Sequence, residues 1–139
     1  MLNDLLANYQ VFYTNVRGFH WNIKGEKFFE LTANFEALYD HINLKVDEIA
    51  ARILTLGSEP DHSFTKYLEQ SAIKEALKTS DGIENVESIV NSFSLLISKQ
   101  RQIREFSADA DDEGTNSLIS DYIREQEKLV WMYSAFLKK

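Results

Sequence analysis

The residues able to do chemistry are few, and their spacing limits what they can do. The 139 residues contain three histidines and no cysteine, which removes thiolate metal sites, disulfides and cysteine nucleophiles together. Metal binding is left to His20, His41, His62 and the carboxylates near them. His62 follows Glu59 by three residues, a spacing by which a helix offers a carboxylate and an imidazole to one ion. Pro60 lies between them and Gly57 just before, so the pair falls in a linker. His41 lies about 120° around a helix from Asp47 and has no acidic partner at the right spacing, which reads as a surface histidine. His20 differs: it ends an amphipathic segment beside Trp21, on the apolar side. Taken alone it fits either a packed core histidine or a ligand.

The carboxylates of interest are Glu36, Asp40 and Asp47. On a helical wheel Glu36 and Asp40 lie within about 20° of Asp47. They share their stripe with Thr32, Asn43 and Ala51, and are mixed with Ala33, Ala37, Leu44 and Leu54. A solvated face would carry more lysine, glutamate and arginine. The stripe therefore reads as a subunit interface with a few carboxylates in it, and a symmetric one would set each face against its own copy.

The elements that position these residues are all helical. Leu2, Leu5, Leu6, Tyr9, Phe12, Tyr13, Val16, Phe19 and His20 follow steps of three and four, giving a first helix from 2 to about 21. A short break at 22–27 contains Gly25. Phe28, Leu31, Phe35, Leu38, Ile42, Val46, Ile49, Ile53 and Leu56 give a second helix of roughly 45 Å, stopped by Gly57 and Pro60. The connector at 58–79 is long enough to run back along the bundle, with room for a short helix near 64–70. Asp81 and Glu84 read as a capping box that opens a third helix, with Ile83, Val86, Val90, Phe93, Ile97 and Ile103 facing inward. The acidic stretch 109–114 interrupts it. A fourth helix starts at Asp112 or Thr115 and offers Leu118, Tyr122, Leu129, Met132, Tyr133 and Phe136 for burial. The expected fold is all-α, a four-helix bundle in one domain spanning 1–139, with five glycines and one proline agreeing with few turns.

Charge narrows the partners. There are 22 acidic against 15 basic residues, a net charge of −7, and no concentrated basic patch. Cations are the natural partners, and a phosphate backbone is repelled. No apolar run reaches the roughly 20 residues that span a bilayer. The opening Met-Leu-Asn-Asp-Leu-Leu lacks the basic segment of a secretory signal, so a cytoplasmic setting is expected.

Gly18-Phe-His-Trp-Asn-Ile-Lys-Gly25, Phe28-Phe-Glu-Leu31, Asp47-Glu-Ile-Ala50 with Arg52, and Glu127-Lys-Leu-Val-Trp-Met132 together resemble the Dps family, the mini-ferritins named for DNA protection during starvation. The resemblance covers essentially the whole chain. It implies a ferritin-like bundle with a short helix in the crossover between the second and third long helices. It also implies a hollow homo-oligomer of twelve subunits that takes up ferrous iron, oxidises it with peroxide and stores ferric mineral. The family's site lies at twofold interfaces. Carried over by motif, its first histidine matches His20, its aspartate matches Asp47 from the partner, and an auxiliary acid matches Glu36. Its second histidine falls at Thr32 and its bridging glutamate at Ala51. The resemblance thus implies a metal site of His20, Asp47 and Glu36 that lacks two usual ligands and is weak or inactive as a ferroxidase. The alternative is a structural or protective shell component without ferroxidase activity, possible alone or beside an active paralogue. Asp109, Asp111, Asp112 and Glu113 are similar in location to the acidic turn lining the family's threefold pores. The basic tail by which family members bind DNA is not seen, so DNA binding is not expected.

Overall fold

The computed structural model describes residues 1–139 as five helices: α1 (Leu2–Asn22), α2 (Phe28–Thr55), α3 (Phe64–Gln70), α4 (Gly82–Asp109) and α5 (Glu113–Phe136). There are no strands; a single parallel bridge joins Lys24 to Asp81. α1 and α2 form one antiparallel hairpin and α4 and α5 another, and the two pack into a four-helix bundle with α3 lying against α1. The expected all-α, ferritin-like architecture is observed, including the short helix over 64–70.

The turns carry the chemistry their residues allow. Gly57 sits at φ 89°, its N–H donating to Leu54 O at 3.0 Å while Ser58 N–H donates to Ile53 O at 3.1 Å. Those two bonds satisfy carbonyls that the end of α2 would otherwise leave open. Asp81 caps α4, its Oδ1 accepting from Ile83 N at 2.9 Å and Glu84 N at 3.3 Å. The capping box is half formed, because the Glu84 side chain makes no return bond. Asp112 caps α5 through Thr115 N at 3.1 Å.

Two buried asparagines fasten the crossover to α1. Asn8 Oδ1 accepts from Ala72 N at 2.9 Å and Ile73 N at 3.0 Å. Asn15, two turns on, accepts from Ala76 N at 2.9 Å and donates to Lys74 O at 2.9 Å. A connector whose backbone groups are satisfied this way can lie against the bundle without desolvation loss.

The core is aromatic at its centre. Phe12 meets Phe93 edge-on at 5.1 Å, Phe19 meets Phe35 at 5.9 Å, and Phe93 stacks on Tyr133 at 6.4 Å. Phe28, Leu56, Ile83 and Met132, expected inside, are exposed. The first three lie at helix ends, where the bundle has no facing layer, and Met132 lines an open groove between α2 and α5.

One layer of the core is polar, which the apolar stripes do not suggest. Tyr9, Gln100 and Gln126 are fully buried. Tyr9 OH donates to Gln100 Oε1, Gln126 Nε2 donates to Tyr9 OH at 2.5 Å, and Gln100 Nε2 donates to Gln126 Oε1 at 2.8 Å. The ring closes on itself across α1, α4 and α5. Burial pushes the Tyr9 phenol far above its ordinary value, so it stays a donor. Tyr9→Phe leaves Gln100 Oε1 without its donor and Gln126 Nε2 without its acceptor. It is expected to lower stability by about 1–3 kcal/mol in urea unfolding, whereas apolar replacement of all three is expected to lower it less.

Candidate metal site on the exposed face of the second helix

α1 and α2 run antiparallel with His20 level with Thr32 and Tyr13 level with Tyr39, whose rings meet at 5.7 Å. His20 Nδ1 lies 2.7 Å from Thr32 O. A carbonyl oxygen only accepts, so Nδ1 carries a proton, and the neutral tautomer this selects turns the Nε2 lone pair outward. Thr32 Oγ1 lies 3.0 Å from the same Nδ1 and donates to His20 O at 3.0 Å. Side chain and main chain of Thr32 thus clamp His20 from both ends. A histidine whose other nitrogen is held by a backbone carbonyl is the usual form of a metal ligand.

The free Nε2 faces Glu36 Oε2 at 3.6 Å, a separation that a cation with ligand bonds of about 2.1 Å can span. The His20 side chain is one-fifth exposed and Glu36 about half. The Tyr39 ring lies 5.6 Å from the imidazole, and burial with Glu36 and Asp40 nearby raises its phenol pKa. Asp47 is exposed. It stands three turns beyond Glu36, about 16 Å along the helix, so it cannot reach His20 of its own chain. Ala51 is exposed one turn further, and Glu36, Ala37, Asp40, Asn43, Leu44 and Leu54 complete the uncovered strip. No three His, Asp or Glu side chains of the chain converge where they could hold one metal ion. Of the sequence-predicted ligands, the fold brings together His20 and Glu36 and leaves Asp47 apart.

His41 is not the isolated surface histidine expected from its own helix. Its Nε2 donates to Glu125 of α5, and the Lys45 ammonium donates to the same carboxylate at 2.7 Å while lying 2.8 Å from the imidazole. The acidic partner comes from another helix, out of reach of spacing arguments made on α2. Lys45 is buried and lies 5.0 Å over the Tyr122 ring. Its one sequence signal is a lysine beside Ile42, Val46 and Ile49 on the core side of α2. Glu59 and His62 stay in the linker as expected, 3.9 Å apart and exposed.

The acidic turn is partly committed. Asp112 pairs with Arg52 at 2.6 Å and accepts from Thr115 Oγ1 at 2.6 Å. The Thr115 bonds, followed by Arg52, hold its carboxyl below the ordinary range. Gly114 leaves room for that arginine, since a Cβ there would lie 2.6 Å from Arg52 Nη2. Asp109, Asp111 and Glu113 remain exposed.

A ferritin-like domain model matches residues 1–139, and the chain belongs to that family. Within it the chain is a Dps-family protein. It is 41% identical to the DNA protection during starvation protein of Porphyromonas gingivalis, over 99% of this chain and 87% of that one. It is 37% identical to the protein of that name from Brevibacillus brevis, over 99% and 93%. The crystal structure of a Dps protein from Vibrio cholerae O1, described as a member of a broad superfamily of ferritin-like diiron-carboxylate proteins, superposes with TM-score 0.97 at 56% identity. That match covers 98% of this chain and 86% of the other. No helix is long and apolar enough to cross a membrane.

Burial opposes ionisation of Glu125, but hydrogen bonds from Lys45 and His41, with their charge, outweigh it and hold the carboxyl below its ordinary value. A depressed carboxyl pKa stabilises the fold above the unfolded value, and that stability is lost as pH falls through the folded value. Glu125→Gln is expected to lower stability at pH 7 by about 1 kcal/mol, discounted because water screens a half-exposed group. The difference from the native chain closes below about pH 4, as urea midpoints across pH will read.

Proposed function

We propose that this chain is a shell-forming mini-ferritin subunit that binds ferrous iron, its substrate, at sites completed between identical copies, in a cytoplasmic dodecamer that sequesters iron and so limits oxidative damage. The observation that carries this reading is the His20 imidazole, fixed in one tautomer with its free lone pair toward Glu36 on an uncovered helix face. Imidazole nitrogen and carboxylate oxygen suit ferrous iron, and zinc as well. The third ligand in this reading is the partner's Asp47. Two α2 helices running antiparallel across a twofold axis, with Glu36 level with the partner's Asp47, build two equivalent sites at once. Leu44 then lies near the axis and is covered. Asp109, Asp111 and Glu113 are the carboxylates left to attract cations toward a threefold pore. Nucleic acid is not a proposed partner, given the net charge of −7.

Thr32 and Ala51 favour a companion reading in which the shell binds iron without fast coupled oxidation. Peroxide accepts two electrons and a ferrous ion gives one, so efficient oxidation needs two ions held together. Threonine is a weak neutral ligand and Ala51 has no donor atom, which leaves a second ion short of an imidazole and a bridging carboxylate. Binding at His20 and weak oxidation are therefore the expected pair of properties.

The test is anaerobic ferrous titration of the purified assembly, sized by light scattering, followed by peroxide with absorbance monitored. A particle of about twelve subunits is expected. Saturable iron binding should weaken at least about 10–100-fold in His20→Ala and in Asp47→Asn. Oxidation should be slow in the native shell and accelerate in the Thr32→His, Ala51→Glu double variant. Equal binding by native and His20→Ala shells would remove the site. Leu44→Glu should prevent assembly while leaving helical content intact; normal assembly of that variant would sink the interface.

A further inference from the structure

Beside the His20–Glu36 pair lies a charged side chain that the proposed metal site does not use. Arg17 stands one turn before His20 on α1, its guanidinium carbon 4.7 Å from the Trp21 ring and 5.2 Å from the Tyr13 ring. Stacking between two rings fixes the plane of the group and strips water from it. Its Nε is buried and bonded to nothing, the one buried side-chain polar atom of the chain in that condition. That Nε is covered by the chain's own side chains, so a docking group reaches the guanidinium at its Nη edge, which also makes no bond within the chain.

No acceptor of the same chain is in place. Glu36 faces His20 instead, and none of the chain's ion pairs includes Arg17. None includes Asp47 either, which is an exposed carboxylate without a partner. The register of the α1–α2 hairpin says where the two can meet. Tyr13 lies level with Tyr39 and His20 with Thr32, so Arg17 lies level with Phe35 and Glu36. Asp47 of the same chain is about 16 Å further along α2. The antiparallel twofold arrangement of the proposed function puts the partner's Asp47 level with Glu36, hence within one residue of the level of Arg17.

We infer that Arg17 receives the partner's Asp47 as an ion pair across the twofold contact, so that a cation entering at His20 competes with a built-in guanidinium for the same carboxylate. The ion pair rests on the twofold arrangement of the proposed function, and the competition rests on its metal site as well. Arg17 is a positioning residue: it holds Asp47 at the interface before metal arrives, and an incoming ion must then displace it from that carboxylate. It ties strength of assembly to weakness of metal binding through one side chain.

The experiment uses the intact assembly with Co²⁺ as a spectroscopic probe and urea dissociation followed by light scattering. Arg17→Gln is expected to tighten Co²⁺ binding about threefold to tenfold and to lower the urea midpoint for dissociation of the metal-free shell. Arg17→Lys, which keeps the charge and loses the planar fork, should fall between. In an Asp47→Asn background, Arg17→Gln should change neither quantity. Persistence of both effects in Asp47→Asn, or their disappearance in Glu36→Gln instead, would overturn the pairing. So would unchanged Co²⁺ affinity together with an unchanged urea midpoint. Should His20→Ala leave Co²⁺ affinity intact, the metal site fails, while the coupling of positions 17 and 47 in urea still decides the ion pair.

Discussion

A straight α-helix fixes the distance between any two of its residues, and in α2 that distance keeps Asp47 three turns from Glu36. Neither loop motion nor a rotamer change closes such a gap. The same rigidity leaves an uncovered strip of small and acidic residues along α2. In the proposed function, metal binding and subunit association both depend on that one spacing.

The clamp between His20 and Thr32 joins α1 to α2 at one level, with the Thr32 hydroxyl donating to the His20 carbonyl. The Thr32 carbonyl sets the ring's proton on Nδ1, leaving the outward nitrogen free. The imidazole is thus held in one orientation, its outward nitrogen facing Glu36.

Much of the bundle was legible because hydrophobic spacing and caps are local signals. The stripes of α1 and α2, the stop at Gly57, the short α3 and the Asp81 cap all follow from neighbours within a few residues. The uncovered face of α2 was legible for the same reason. What escaped depends on contacts between helices: Glu125 reaching His41 and Lys45, Arg52 neutralising Asp112, and the polar ring of Tyr9, Gln100 and Gln126. A wheel drawn on one helix carries no information about what another helix brings to it. The reading of Thr32 and Ala51 as positions where a ligand is missing comes only through the Dps resemblance, since threonine and alanine announce nothing by themselves.

The polar ring has a bearing on register as well as on stability. Tyr9, Gln100 and Gln126 come from α1, α4 and α5 and meet at one height in the bundle. With either hairpin slid by a turn, at least one of these amide or phenol groups is stranded in hydrocarbon. Three side chains therefore act as a key that admits one register of α1 against the α4–α5 hairpin.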